Sequence, residues 1–299
     1  MAVRTDSVRP GIVSTWLLAA RPATLWAAVV PVVVGTAAAQ RDGDFRLAVF
    51  VMALVASLLL QIGTNLANDV FDFERGADTG ERLGPPRVTQ TGLLSPGDVR
   101  RGMLATFGAA AVLGLGLAYY GGWPIIVVGA LAIVAGVVYT GGPWPTGYHG
   151  LGDAFVFCFF GLVAVAGTYY LHTDTLSWRA IAAAVPVGFL ITAILVVNNL
   201  RDIETDARTG KRTLAVRLGG RPTRAEYAAL VVGAYAVVVA MAAVWSWWLL
   251  LPLLSAPAAA RVAAPVLGGA RAGALNIALK RTSQLQLLFG LLLALGFLL

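Results

Sequence analysis

The feature that most constrains this chain is the recurrence of uninterrupted apolar runs long enough to cross a lipid hydrocarbon core. A helical crossing takes about 20 residues, and runs of that kind occupy residues 23–40, 46–68, 102–120, 122–141, 153–172, 179–200, 226–243, 245–262 and 283–299. With no water in the hydrocarbon, a spanning segment must satisfy its own backbone as a helix or close into a barrel. These runs are continuously apolar and rich in Ala, Leu and Gly, without the alternation that barrel strands require. The expected fold is therefore all-α: a polytopic bundle of about nine transmembrane helices, one integral membrane domain over residues 1–299. Composition agrees, at 58% hydrophobic and 12% charged against roughly 25% charged in soluble domains. The first run is too long for a signal peptide and carries Arg21, Pro22 and Pro31, so no cleaved leader is expected. The single cysteine, Cys158, excludes an intramolecular disulfide and a cysteine metal cluster.

The net charge of +7 reports membrane topology rather than a nucleic-acid partner. Arg and Lys concentrate in the N-terminal tail and in the second, sixth and eighth loops, whereas the odd loops keep only Arg41, Arg46 and Arg179. By the positive-inside rule the N-terminus and the even loops face the cytoplasm and the C-terminus faces out. The expected setting is a cell membrane.

Acidic residues are scarce, and their placement is uneven. Of fifteen carboxylates, five lie in residues 61–81 (Asp69, Asp72, Glu74, Asp78 and Glu81) and three more follow the sixth run (Asp202, Glu204 and Asp206). Both segments are expected at the cytoplasmic ends of even-numbered helices. Asn65, Asp69 and Asp72 are spaced four and three apart, and Asn198, Asp202 and Asp206 four and four. Either spacing puts an amide and two carboxylates on one helical face, with neighbours about 5–6 Å apart. A first motif at 65–78 and a second at 198–206, four helices apart, suggest a duplicated four-helix unit whose polar faces meet across a pseudo-symmetry axis. One acidic cluster at a helix end is ordinary solvated interface; two matching clusters in so acid-poor a chain are not.

Like charges at that spacing repel, and a divalent cation removes the penalty. Mg²⁺ favours a few carboxylates with waters and substrate phosphates over an all-protein cage, and an oxygen-only donor set suits it. Two ions bridging the motifs are expected. Flanking cations would complete a diphosphate site. The candidate metal residues are Asp69, Asp72, Asp78, Asp202, Asp206 and Asn65, with Asp69, Asp72, Asp202 and Asp206 as the catalytic set. The candidate diphosphate residues are Lys211, Arg21, Arg201, Arg212, Asn68 and Asn198.

Other signals are weaker. His149 and His172 are the only histidines and are expected on opposite sides of the membrane. Residues 139–153, YTGGPWPTGYHGLGD, hold glycines that suggest a phosphate loop but lack the G-K-[ST] ending; a Gly/Pro turn between helices is the plainer reading. The loop carries Tyr139 and Tyr148, whose rings could face a carbocation or an aromatic acceptor.

NDVFDFERGADT and NNLRDIETDARTGKRTLAVRLG resemble the two aspartate motifs of the UbiA-type prenyltransferase superfamily, intramembrane enzymes that move an isoprenoid chain from its diphosphate to an acceptor. Within it the chain is most similar to the 1,4-dihydroxy-2-naphthoate polyprenyltransferases of menaquinone synthesis, through ARPATLWAAVVPVVVGTA, QTGLLSP, YTGGP and LNIALKRTSQLQLLFGLLLALG. The resemblance implies a polyprenyl diphosphate donor, an aromatic acceptor, a lipid environment, and no obligatory protein partner. It implies that the ring carbon bearing the carboxylate is alkylated and loses CO₂, giving demethylmenaquinone. Two departures stand out. The superfamily often spaces its first motif N-D-x-x-D-x-x-x-D, and here the last position is Gly76, with Asp78 two residues on; and residues 139–153 contain no Arg or Lys. Transfer to 4-hydroxybenzoate, homogentisate, protohaem or a sugar phosphate stays open. So does a secondary transporter with duplicated halves, although transporters usually hold such groups near the bilayer midplane.

Overall fold

The computed structural model describes residues 11–78 and 83–299, so Glu81, Arg82 and the N-terminal tail lie outside the described residues. The regular elements among those described are all helical, with no strand. The chain runs through α1 (Ile12–Ala20), α2 (Trp26–Arg41), α3 (Leu47–Glu74), α4 (Pro96–Gly121), α5 (Trp123–Val138) and α6 (Gly152–Thr173). It continues through α7 (Trp178–Arg201), the short α8 (Ile203–Arg208) and α9 (Leu214–Leu218), then α10 (Gly220–Val244), α11 (Trp247–Leu267) and α12 (Gly273–Leu298).

Every apolar run forms a helix, and length and composition alone mark fewer than nine of them as crossings. Seven helices among the described residues are long and apolar enough to span, or eight if the pair Ile12–Thr24 and Trp26–Arg41, bent by 53°, counts as one crossing. The run at 122–141 yields only the 16 residues of α5, about 24 Å of helix against a hydrocarbon core of about 30 Å. Gly122 precedes it at φ 69°, and beyond Val138 the Gly/Pro-rich loop takes over.

Helix starts also move outward from the apolar runs. α4 begins at Pro96 because Ser95 caps it, its hydroxyl accepting from the Asp98 N–H at 3.1 Å. α12 begins ten residues before 283, carrying Asn276, Lys280 and Arg281 inside the helix. A reading by hydropathy stops at such charges; the helix does not, because Asn276 and Lys280 face an internal cavity.

α7 is the most buried span. Its Ala, Val and Leu residues meet α2, α10 and α12 in the largest apolar core, around Val34, Leu190, Tyr227 and Phe289. α3 and α4 form a smaller core with α1 around Leu66, Val70 and Phe107. Glycine permits the tightest contacts: a Cβ at Gly161 would come within 2.6 Å of the Gly188 Cα, where α6 crosses α7. Gly161 lies in the π-helical turn Phe157–Val163 within α6. Many large apolar side chains, such as Leu104, Val112 and Val232, point outward, as a lipid-facing surface requires. This is a multi-pass membrane protein.

Candidate active site

The two aspartate motifs share a construction that spacing alone does not reveal. At the end of α3 the Ala77 N–H donates to the Asp72 carbonyl at 2.9 Å and the Gly76 N–H to that of Phe73 at 3.0 Å, with Gly76 at φ 68°. At the end of α8 the Lys211 N–H donates to the Asp206 carbonyl at 2.9 Å and the Gly210 N–H to that of Ala207 at 3.4 Å, with Gly210 at φ 76°. Both are Schellman caps with a left-handed glycine just past the helix. Each motif therefore contains D-x-x-x-G, Asp72 to Gly76 and Asp206 to Gly210. Gly76 occupies the position where an aspartate was expected because the cap requires a residue that tolerates positive φ. The reversal brings Asp78 back toward the helix.

Arg87 faces that reversal. Its guanidinium donates to Asp72 Oδ2 at 2.6 Å, lies 3.1 Å from Asp78 Oδ2 and donates to the Asn68 carbonyl, so one buried cation joins both acids of the first motif. Tyr148 donates its hydroxyl to Asp72 Oδ1 at 2.7 Å, and the Lys211 ammonium stands 3.8 Å from Oδ2. Burial, together with the Asp72 charge, raises the Tyr148 pKa, so the phenol remains a donor. In the second motif Arg201 binds Asp202 through two nitrogens, with Nε at 2.7 Å from Oδ1, and also donates to Asn198 Oδ1 at 2.9 Å and Asn276 Oδ1 at 2.8 Å. Lys211, from the second motif's cap, connects the two halves.

These groups line one end of a cavity of about 860 Å³ that continues between the helices to Val32, Ile125 and Leu171. Asn68, Asp72, Asp78, Asn198, Asp202 and Asp206 line it, as do Arg21, Arg201, Lys211 and Tyr139. Arg21 is presented by the break between α1 and α2, where it adopts φ 51°.

Four residues are placed differently from the sequence expectation. Asp69 does not line the cavity. Its oxygens accept from the Val88 N–H at 3.2 Å, the Thr89 N–H at 3.1 Å and the Thr89 hydroxyl, so it anchors the loop that delivers Arg87 and stands behind the cavity wall. Asn65 lines the cavity and donates to the Ala20 carbonyl at 2.9 Å and Thr24 Oγ1 at 3.1 Å while accepting from Gln61; it pins the break that presents Arg21, a task beyond the metal binding expected of it. Arg212 is exposed and lines a separate, smaller cavity, outside the diphosphate site assigned to it. The Tyr148 ring also faces away from the main cavity, toward the guanidinium of Arg75 at 5.5 Å and the ammonium of Lys211 at 5.3 Å, so it acts through its hydroxyl and not as an aromatic face. The histidines have separate neighbourhoods: His172 is bonded to Thr36 and the Arg46 N–H, and His149 to the Pro145 carbonyl.

Arg87, Asn276 and Lys280 are the cavity residues that sequence reasoning missed. For Asn276 and Lys280 a signal existed, since residues four apart share a helix face. For Arg87 there was none beyond its place in a basic loop.

The model of the UbiA prenyltransferase family matches residues 28–282. The chain belongs to that family. This UbiA-family chain is 41% identical over 284 residues to a 1,4-dihydroxy-2-naphthoate octaprenyltransferase of Mycobacterium tuberculosis, covering 93% of the chain and 95% of that relative. It is 38% identical to the Escherichia coli protein of the same name, covering 94% of each. Solved structures share the fold at lower identity. A UbiA homolog from Archaeoglobus fulgidus bound to DMAPP and Mg²⁺ superposes with a TM-score of 0.68 at 14% identity, over 95% of this chain and 99% of that one. A homolog from Aeropyrum pernix K1 does so with a TM-score of 0.69 at 15% identity, over 90% and 96%.

Proposed function

We propose that this protein transfers a polyprenyl chain from its allylic diphosphate to 1,4-dihydroxy-2-naphthoate, releasing diphosphate and CO₂ and giving demethylmenaquinol, the hydroquinone form of demethylmenaquinone. The observation that carries the reading is one cavity with a charged end built from both aspartate motifs and an apolar remainder, in a chain aligned over more than nine-tenths of its length with relatives that bear that name. A polyprenyl diphosphate has the same division, and its head and tail match the two ends. The N-terminus and the charged end face the cytoplasm, in keeping with the positive-inside pattern.

The donor set fits Mg²⁺. Among the described residues no three His, Cys, Asp or Glu side chains converge on one point, which excludes a closed protein cage but suits an ion held by one or two carboxylates and completed by substrate phosphates. One or two of Asp72, Asp78, Asp202 and Asp206 would hold each ion, with Asn68 and Asn198 as neutral neighbours. Bound there, Mg²⁺ supplies charge neutralisation on the diphosphate oxygens.

The chain's own cations do the rest. Arg87, Arg21, Lys211 and Lys280 bind and orient the diphosphate, and they stabilise the negative charge that grows as the allylic C–O bond breaks and its electron pair leaves with the diphosphate. Tyr148 and Arg87 fix the rotamer of Asp72, so the charged end is organised before the substrate arrives. Apolar walls exclude water, which would otherwise capture the allylic cation. The electron-rich ring of the acceptor, against Tyr139, attacks the allylic carbon at its carboxylate-bearing position; the C–CO₂ bond then breaks and its electron pair restores the aromatic ring.

The test supplies purified protein with a labelled allylic diphosphate, Mg²⁺ and a panel of aromatic acceptors, with products identified by mass. Prenylated and decarboxylated naphthoate, abolished by EDTA, is the expected result. Prenylation of a different acceptor alone would overturn the acceptor assignment, and no prenylation with any acceptor would overturn the enzyme assignment.

A further inference from the structure

A second cavity of about 350 Å³ lies on the other side of Tyr148 from the main one. It is built by the Gly/Pro loop after α5 and by the turn around Gly210. Arg75, Arg212, Arg217 and His149 line it, and no carboxylate does. Some arginines elsewhere in the chain are paired with acids: Arg100 with Glu74, Arg101 with Asp98, Arg46 with Asp174 and Arg179 with Asp42. The three arginines of the second cavity form no ion pair among the described residues. Arg75 donates to the Thr140 and Gly142 carbonyls and Arg217 to the Arg212 carbonyl, bonds that aim a guanidinium without cancelling its charge.

Gathering three guanidiniums around one hollow is electrostatically unfavourable unless an anion joins them. The backbone is shaped to keep them there. Gly150 stands at φ 75°, and a Cβ on it would come within 3.0 Å of Arg217 Nε. Trp144, half exposed, stacks on His149 at 4.2 Å. An exposed tryptophan beside a helix end belongs at the membrane–water interface, and basic pockets at that level suit lipid headgroups.

We propose that this second cavity is a binding site for a phosphate group, held by Arg75, Arg212 and Arg217 through the paired N–H donors that guanidinium offers to phosphate oxygens. Two sources share that chemistry, an anionic phospholipid headgroup and free phosphate from the cytoplasm. The inference does not depend on the acceptor assigned above.

The full-length protein in neutral detergent, with Mg²⁺ chelated to weaken phosphate binding in the main cavity, is titrated with phosphatidylglycerol, phosphatidylcholine and inorganic phosphate, and the contribution that remains from the main cavity is common to wild type and variants. Binding is read by native mass spectrometry for the lipids and by thermal shift for phosphate. Arg212→Gln/Arg217→Gln is compared with the charge-matched control Arg100→Gln/Arg101→Gln. The expected result is that the first variant binds the phosphate ligand about tenfold more weakly, the equivalent of about 1.4 kcal/mol, while the control binds as the wild type does. Preference for phosphatidylglycerol over phosphatidylcholine identifies a headgroup as the source, and a response to inorganic phosphate without that preference identifies the free ion; either supports the site. Equal binding by wild type and the first variant, equal loss in the control, or no binding of any phosphate ligand overturns it. If the double variant does not fold, Arg212→Gln alone decides, because that exposed side chain makes no hydrogen bond or ion pair among the described residues; it is expected to weaken binding about threefold.

Discussion

The two aspartate motifs end in the same helix cap, yet their acids are neutralised in different ways. Asp202 is held by Arg201, its neighbour in sequence, so the second pair forms as soon as the end of α7 forms. Asp72 and Asp78 are held by Arg87, which reaches them only after the intervening loop has closed. Asp69 closes that loop through the amides of Val88 and Thr89. The second motif is thus locally determined and the first depends on tertiary structure. Two segments with similar polar spacing contain the same kind of acid but place it differently: of the first motif's aspartates Asp69 anchors a loop, whereas Asp202 and Asp206 both line the cavity.

That contrast can be broken most forcefully at its cation. Arg87→Ala is expected to leave two buried carboxylates without their shared partner and to destabilise the protein by about 3–5 kcal/mol. The readout is thermal unfolding in detergent, and a melting point equal to wild type would show that the loop cation is dispensable. Next, Asp72→Asn and Asp202→Asn are each expected to reduce turnover about 10²- to 10³-fold, on the scale of losing one transition-state electrostatic contact, while the protein stays folded. A large loss in only one of them would mean that the halves do not act on one diphosphate.

Asp69→Asn separates scaffold from chemistry. It should lower stability by about 1–3 kcal/mol through loss of the loop anchor while the folded fraction keeps turnover within a few-fold of wild type. Loss of turnover at full stability would return Asp69 to the catalytic set. The smallest effects belong to the caps. Gly76→Ala and Gly210→Ala, each forcing a Cβ into positive φ, should cost about 1–2 kcal/mol apiece, and unequal costs in equilibrium unfolding would show that the two caps are not equivalent.

The helices were legible because the membrane imposes one pattern on each of them: an apolar run of spanning length has few alternatives. Their ends were not, since Asn276 and Lys280 belong to α12 by virtue of an internal polar cavity that hydropathy averages into the water phase. At the site, the pairing of two acidic segments was legible from i, i+4 geometry, and Asp72, Asp78, Asp202 and Asp206 do line one cavity. The placement of Asp69 was not legible, because helical spacing gives a direction but not the neighbour that waits there, and that neighbour is a loop about 20 residues along the chain. Nor was that of Arg212, for the converse reason. It adjoins Lys211 in sequence, but the chain turns between them, and the two side chains serve different cavities. The D-x-x-x-G repeat was present in the sequence throughout and would have explained the displaced Asp78, had the glycine been read as a helix stop.

The cavity's division into a charged end and an apolar remainder also governs what happens after bond cleavage. The two fragments of a split prenyl diphosphate have opposite solubilities, and each lies at the end of the cavity nearest the phase that dissolves it. The diphosphate is hydrophilic and the prenylated product is not, so the two products partition into different phases, and dilution there opposes the reverse reaction.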